Sequence, residues 1–170
     1  VRFRVKKTVP YDVETAAVQY FVEPRAGHAK KLDVVVGLIP MDIVARYEAP
    51  FRAAGLQPGL VTTSALAALG LVDGAATASG GVTLFGKLTG HILTMCALRG
   101  SALRMVRSVE LAALRAEEIN AILYPTMAYL EDEFEARPST IHLCGFESIQ
   151  EQVAGAWLSE LGLSATALDS

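Results

Sequence analysis

The stretch GVTLFGKLTGHILTMCALRGSALRMVRSVEL, residues 81–111, is the part of this sequence that decides its fold. It contains three runs rich in β-branched and apolar residues with two turn-like breaks between them: runs at 81–89, 91–98 and 102–111, and breaks at Gly90-His91 and Arg99-Gly100-Ser101. Short breaks of this composition between β-prone runs are typical of hairpins. The stretch therefore predicts three consecutive antiparallel strands.

The first run also matches part of a phosphate-binding P-loop. Gly81, Gly86 and Lys87 stand at the spacing of that motif, in which backbone N–H groups wrap the phosphates. The next position needs a Ser or Thr to hold magnesium, and here it is Leu88. The residues at 82–85 are β-branched or bulky and favour an extended backbone. We therefore interpret the run as a strand and not as a nucleotide loop.

Helical and extended patterns alternate after the three strands. Apolar residues keep a helical period over 116–136, and "STIHLCGF" (139–146) reads as a buried strand. Ser148 is the predicted cap of a second helix ending at Gly162, and "LSATAL" (163–168) is a final strand. Three antiparallel strands, helix, strand, helix and strand is the order of the ribonuclease-H-like core of actin-like proteins. The predicted fold class is α/β (α+β), with one such actin-type half-domain and a smaller α/β subdomain before it.

The first part of the chain predicts that smaller subdomain. Residues 1–9 alternate apolar and basic residues, which indicates a strand, although a helix end has the same spacing over so short a segment. The other predicted elements are a hairpin of strands at 16–23 and 32–39, a helix over 40–55, a short strand at 60–62, a helix at 64–71 capped by Thr63 or Ser64, and a linker at 73–81. The second hairpin strand is apolar enough to be buried on both faces.

Composition limits the class of function. Of the 170 residues, 52% are hydrophobic and 19% charged, and the mean hydropathy is +0.36. A chain this apolar is expected to bury part of its surface against a partner. Its net charge of −3 lacks the basic footprint of a nucleic-acid-binding protein. No apolar run reaches the roughly 18 residues of a membrane span, and no signal peptide is visible.

The two cysteines and the polar residues give weak functional signals. Cys96 and Cys144 lie in apolar runs, which favours buried, reduced thiols of a cytoplasmic protein over a disulfide framework or a nucleophile. The carboxylates in 131–135 are typical of a solvated helix face. No carboxylate or Cys stands at metal-ligand spacing from any histidine, so no metal site is expected: the histidines are His28, His91 and His142.

Four segments resemble the PilM-like family, the actin-like (FtsA-like) cytoplasmic proteins of type IV pilus assembly. They are "KKTVPYDVETAAVQYFV" (6–22), "VVVGLIPMDIVARYEAPFRAAGLQPGLV" (34–61), "LRGSALRMVRSVEL" (98–111) and "IHLCGF" (141–146). The resemblance covers most of the chain in the family's order. Its most specific part is the Ala-Gly-Leu-x-Pro turn that ends a helix, here at 54–58.

The resemblance implies a domain organisation. Residues 1–59 look like the family's small inserted subdomain, and 80–170 look like its second ribonuclease-H-like half. Residues 60–79, with the short helix, look like the linker between them. The family's first ribonuclease-H-like half, which would precede residue 1, is missing apart from that helix. Since the chain also begins without Met, we expect it to be part of a longer protein.

The resemblance further implies a degenerate nucleotide site. Gly86 stands for the glycine of the family's Asp-x-Gly phosphate loop, but Leu84 stands where the Asp belongs. Gly145 remains of the family's glycine pair at the adenosine end, and Phe146 follows it. We therefore expect no catalytic residue, weak or no binding of ATP and magnesium, and no enzymatic activity. An actin-like ATPase is the competing interpretation.

The function that the resemblance implies is that of a scaffold. The protein would be cytoplasmic, peripheral to the inner membrane through its partners, and would bind the cytoplasmic tail of a PilN-like single-span membrane protein. Tyr11, Tyr20 and Phe21 are the candidate contacts with that tail, and packing within the subdomain core explains them equally well. The alternatives are a component similar to GspL of type II secretion and a protein that assembles with itself.

Overall fold

The computed structural model describes residues 2–24, 31–72 and 81–168. The chain divides into two compact units, Val1–Thr62 and Thr63–Ser170. Each has its own β-sheet, of two strands in the first and five in the second.

The predicted domain ranges fall on these units as follows. Residues 1–59 lie in the first unit and residues 80–170 in the second. The predicted linker, 60–79, is shared, because its short helix belongs to the second unit. Their assignment to an inserted subdomain and an actin-type half-domain stays a prediction.

The first unit consists of a short helix, a β-hairpin and a longer helix: α1 Arg2–Val5, β1 Ala16–Pro24, β2 Leu32–Pro40 and α2 Met41–Ala53. The strands β1 and β2 are antiparallel, with Ala16 opposite Pro40. After α2, Gly55 has a φ of 78°, the left-handed conformation that helix ends favour and that glycine adopts without strain. The predicted hairpin and helix are confirmed.

The second unit consists of five strands and three helices among the described residues: α3 Ser64–Ala68, β3 Val82–Thr89, β4 Ile92–Arg99, β5 Ala102–Glu110, α4 Ala116–Phe134, β6 Thr140–Cys144, α5 Gln150–Leu161 and β7 Ser164–Ala167. Their order in the sheet is β5-β4-β3-β6-β7. The pairs β3–β4 and β4–β5 are antiparallel, whereas β3–β6 and β6–β7 are parallel. This is the predicted order of three antiparallel strands, helix, strand, helix and strand.

One face of the five-stranded sheet carries the main core. Leu84, Met95 and Leu143 project from it and are at most 1% exposed. The helices α4 and α5 supply the facing residues, whose helical spacing puts them on one side of each helix: Ile119, Leu123, Met127 and Leu130 from α4, and Val153 and Trp157 from α5. Burial of this apolar set is the main stabilisation of the unit.

The opposite face of the sheet has a smaller cluster. Phe85, Cys96 and Cys144 are fully buried there and pack with Ala68 of α3. The side chain of Thr63 caps α3 by accepting from the amide of Leu66 at 3.3 Å. Both cysteines are buried free thiols, as their apolar neighbours in the sequence predict.

The predicted strand at residues 1–9 is wrong. Residues Arg2–Val5 form a helical turn, in which the amide of Lys6 donates to the carbonyl of Arg2 at 3.1 Å. The guanidinium of Arg2 also donates to the carbonyl of Val13 at 2.9 Å. The alternating pattern has no neighbouring strand among the described residues, so nothing holds this segment extended.

Three further predictions need correction. The strand β2 is not buried on both faces, because β1 is its only neighbour in the described sheet and Leu32 is 63% exposed. Residues 60–62 form no strand and pair with none of the described strands. Ser148 does not cap α5, because the carbonyl of Phe146 accepts the first amides of that turn. The predicted linker at 73–81 lies outside the described residues except for Gly81.

Candidate functional site

Gly86, the candidate phosphate-loop glycine, lies in the middle of β3 and is buried. A Cβ atom added there would meet Leu143 Cδ2 at 3.3 Å, Phe146 Cζ at 3.5 Å and Met95 Sδ at 3.6 Å. Leu84, in place of the family's Asp, is 0% exposed in the same core. The strand continues through Gly86 to Thr89, so the backbone forms no turn there that would cradle a phosphate.

Gly145, the candidate glycine at the adenosine end, follows β6 with a φ of 79°. A Cβ atom added to it would lie 2.2 Å from the carbonyl oxygen of Leu88 in β3. Packing between β3 and β6 therefore requires glycine at this position without any ligand.

Phe146 connects the two glycine positions. It is 2% exposed, its ring faces Gly86, and its carbonyl accepts the amides of Ile149 and Gln150 at 2.8 Å each. The structure thus brings Gly86 and Phe146 together inside the core. A nucleotide role for Gly86 or Gly145 stays a prediction, and packing explains the surroundings of both.

The three aromatic candidates for contact with a partner, Tyr11, Tyr20 and Phe21, differ in burial. Tyr11 is half-buried, and its hydroxyl donates to the carbonyl of Leu38 in β2 at 3.2 Å. It therefore fastens the segment before β1 to the hairpin. Tyr20 and Phe21 are each 59% exposed and, as neighbours in a strand, lie on opposite faces of the hairpin.

The face of the hairpin that carries Tyr20 is entirely apolar in its described side chains. The antiparallel register places nine residues with described side chains on this side, which we call the apolar hairpin face: Ala16, Val18, Tyr20, Val22, Leu32, Val34, Val36, Leu38 and Pro40. The part of this face at the end of β1 and the start of β2 is exposed to solvent, since Val22 is 41%, Leu32 63% and Val34 45% exposed. Apolar residues at every second position of both strands are the sequence signal for this face, whereas the apolar run of β2 alone predicts burial on both faces.

Most apolar residues of the first unit's described part are at least partly exposed. Val13 and Ala16 are its only buried apolar residues in the described part of the chain. The helix α2 adds to the exposed apolar surface through Met41, Tyr47 and Phe51, each more than half exposed. Exposed apolar surface on this scale marks an interaction surface.

The histidines are not brought together. His91 is exposed, and its Nδ1 donates to the carbonyl of Leu111 at 3.2 Å. His142 is buried in β6, neither ring nitrogen has a partner among the described residues, and burial lowers its pKa. His28 lies outside the described residues.

No group of residues in the described ranges is arranged to hold a metal ion. The Sγ of Cys144 accepts from Lys87 Nζ at 3.3 Å across β3 and β6. The carboxylates of 131–135 are mostly exposed, and Glu131 pairs with Arg137 at 3.1 Å. None of the helices described is long and apolar enough to cross a bilayer.

Comparison with known proteins places the fold. No protein-family profile and no curated protein matches the sequence. Among solved structures, a chain of the "PilM-PilN type IV pilus biogenesis complex" is similar over 99% of this chain, with a TM-score of 0.72 and 17% identity. A Bacteroides thetaiotaomicron protein with an actin-like ATPase fold and unknown function is similar over 96%, with a TM-score of 0.52 and 11% identity. This chain spans 60% and 58% of those two chains.

The chain is therefore similar over nearly its whole length to solved structures that include an actin-like ATPase fold, and its five-stranded sheet with helices is a mixed α/β architecture. The resemblance to the PilM-like family that the sequence indicates is confirmed at the level of the fold.

Proposed function

We propose that this protein is a non-catalytic scaffold of type IV pilus assembly that binds the cytoplasmic tail of a PilN-like single-span membrane protein. The similarity to a chain of the PilM-PilN complex over 99% of the sequence supports the pilus assignment. A cytoplasmic location, peripheral to the inner membrane through that partner, forms part of the proposal. The surroundings of Gly86 and Phe146 support a scaffold over an ATPase.

The observation that carries the proposal is the apolar hairpin face. This face exposes Tyr20, Val22 and Val34 on one side of a sheet, with no charged or amide side chain among them. Each described strand of this sheet also has only one neighbour, which leaves a backbone edge for pairing. A short tail that adds apolar side chains to this face, or a strand to this edge, would remove the apolar surface from water.

The test is a binding titration with a synthetic peptide of the PilN-like protein's cytoplasmic tail. Tyr20→Glu places a charge in the centre of the face, and we expect about a tenfold or greater loss of affinity, as for a buried aromatic anchor. Gln19→Glu is the matched control, because Gln19 is exposed in the same strand but on the opposite face. We expect it to bind the peptide with wild-type affinity.

The result decides between the scaffold and its alternatives. Equal affinity of Tyr20→Glu and Gln19→Glu, or no binding by the wild-type chain, would contradict the proposal. Binding of a peptide from a type II secretion partner instead would favour the GspL-like assignment.

The competing function is that of an actin-like ATPase, which the fold similarity favours. Calorimetric titration with Mg-ATP separates the two functions. The scaffold proposal expects no heat of binding at micromolar protein concentration. Micromolar affinity for Mg-ATP would overturn it and would show that the phosphates bind away from Gly86.

A further inference from the structure

The five-stranded sheet ends at β5, whose outer edge pairs with no strand in the described part of the chain. The amide of Leu111 donates to the carbonyl of His91 at 2.8 Å, so the backbone of Leu111 faces β4. In an antiparallel pair, residues whose backbone N–H and C=O groups point toward the neighbouring strand alternate with residues whose groups point away from it. The register with β4 is unbroken over this part of β5. The backbone N–H and C=O groups of Val106 and Ser108 therefore point outward.

A cavity of about 430 Å³ lies beside this edge. The side chains of Val106 and Ser108 line it, together with Ile92 and Thr94 of β4 and residues of α3 that include Leu66. Its apolar walls are accessible, since Val106 is 49%, Ile92 50% and Leu66 42% exposed. Thr94 and Ser108 satisfy each other through a 2.9 Å hydrogen bond between their hydroxyls. Thr63, Ser64 and Thr89 also line the cavity, and its apolar part, formed by Ala65, Leu66, Ile92 and Val106, is suited to an apolar side chain.

Arg107, between the two outward-facing residues, lies on the other face of β5. It is opposite Met95 of β4, whereas Val106 is opposite Cys96. Its side chain is exposed and forms no ion pair with any residue in the described ranges. The edge thus offers backbone groups, an apolar cavity on one face and a positive charge on the other.

We propose that the edge of β5 docks an extended segment of a partner protein in which apolar and acidic side chains alternate. Residues of the added strand opposite Val106 and Ser108 lie on the cavity side, where a long apolar side chain enters the cavity. The residue between them lies beside Arg107, where a carboxylate forms a cross-strand pair of opposite charge. This site belongs to the second unit and is independent of the apolar hairpin face.

The charge of Arg107 is the reason for choosing an acidic segment over a second copy of the chain. A second β5 strand, paired so that Val106 faces Ser108, would put the two Arg107 side chains directly opposite each other. Like charges in that position destabilise a strand pair. Charged residues at sheet edges also hinder unselective pairing, so the same arginine selects among partners.

Fluorescence anisotropy with short labelled peptides tests the proposal. A peptide in which leucine and glutamate alternate is expected to bind the full chain. A peptide with lysine in place of glutamate is expected to bind about fivefold or more weakly, since the cross-strand pair becomes repulsive. Equal binding of the two peptides, or no binding of the acidic peptide, would overturn the proposal.

Two variants, each with its own control, test the contribution of the backbone and the contribution of the charge to peptide binding separately. Val106→Pro removes an N–H that points outward, a position where proline is tolerated in an edge strand, and is expected to lose about fivefold or more in affinity. Val106→Ala, its control, keeps the N–H and is expected to bind more tightly than Val106→Pro. Arg107→Glu is expected to prefer the lysine peptide, while Arg115→Glu, an exposed charge outside β5, keeps the wild-type preference.

The charge exchange keeps the proposal testable if Val106→Pro fails to fold. An Arg107→Glu chain that still prefers the glutamate peptide would contradict an edge site at β5. Sedimentation of the wild-type chain tests whether a second copy of the chain, instead of a partner segment, occupies the edge of β5. A dimer that the neutral variant Arg107→Gln strengthens, without peptide binding, would identify a second copy at this edge and overturn the proposal.

Discussion

Replacing Gly145 with alanine is expected to destabilise the second unit much more than the same replacement at Gly162. Both glycines have a left-handed backbone, with φ of 79° and 65°. An alanine in that conformation costs about 1–2 kcal/mol relative to its preferred conformation. Nothing lies within 4 Å of a Cβ atom at Gly162, so this cost is the whole effect there.

At Gly145 a steric cost is added to the conformational one. The new Cβ atom would lie 2.2 Å from the carbonyl oxygen of Leu88, far inside ordinary contact distance. Relief requires movement of backbone, since Leu88 is held in β3 between β4 and β6. Overpacking of this kind costs about 1–3 kcal/mol, so the total for Gly145→Ala is about 2–5 kcal/mol against about 1–2 kcal/mol for Gly162→Ala.

Urea unfolding followed by tryptophan fluorescence measures this difference. Trp157 is the only tryptophan of the chain and is 1% exposed in the core of the second unit. Its emission therefore reports the unfolding of the unit that contains both glycines. Equal free energies of unfolding for the two variants would refute the argument that the backbone of Leu88 restricts position 145.

Three further predictions concern buried polar groups of the second unit. Burial lowers the pKa of His142 from its ordinary value of 6.5, so the unfolded chain binds the proton more readily. The free energy of unfolding is therefore fully maintained above that value and falls as the pH drops below it, and His142→Leu is expected to flatten the dependence of the urea midpoint on pH between about pH 5 and 7. Trp157 Nε1 donates to Asn120 Oδ1 at 2.7 Å. Asn120→Leu leaves this buried donor unpaired and is expected to lower the free energy of unfolding in urea by about 1–3 kcal/mol. The control, Ser159→Ala at an exposed position, is expected to lower it by less than about 0.5 kcal/mol, and a loss that small for Asn120→Leu would contradict the prediction. Burial raises the pKa of the Cys96 thiol to about 11; mass spectrometry after iodoacetamide treatment is expected to find Cys96 modified only in urea, and rapid modification of the folded chain would show that the thiol is accessible.

The sequence alone predicts the order of elements in the second unit, because that order depends on local physics. The strands β3 to β5 follow from β-prone runs separated by short turns, and Gly90 and Gly100 have the positive φ that such turns require. Gly162 ends α5 in the same way. Leu88 argues against a P-loop from the sequence alone, because the motif needs a Ser or Thr at this position to hold magnesium.

Burial was less predictable in the first unit, because it depends on neighbours that are distant in the sequence. The apolar run of β2 is the same whether a strand has one neighbour or two, and only the sheet shows that β1 is its one neighbour among the described strands. The alternating residues of 1–9 likewise pair with no strand in the described part of the chain, and Arg2–Val5 form a helical turn. Period 2 indicates which residues share a face, and only tertiary contacts decide whether that face is covered.

The candidate site shows the same division. Leu84 and Phe146 could be identified in the sequence as departures from a nucleotide-binding pattern. That Phe146 faces Gly86, and that Gly145 lies against Leu88, follows from the parallel pairing of β3 with β6, which joins segments more than fifty residues apart. Residue types along the chain thus predicted the elements of the second unit and the departures from a nucleotide-binding pattern, whereas the pairing of distant strands decided which glycines are required and which apolar faces stay open, since packing is a property of neighbours in space.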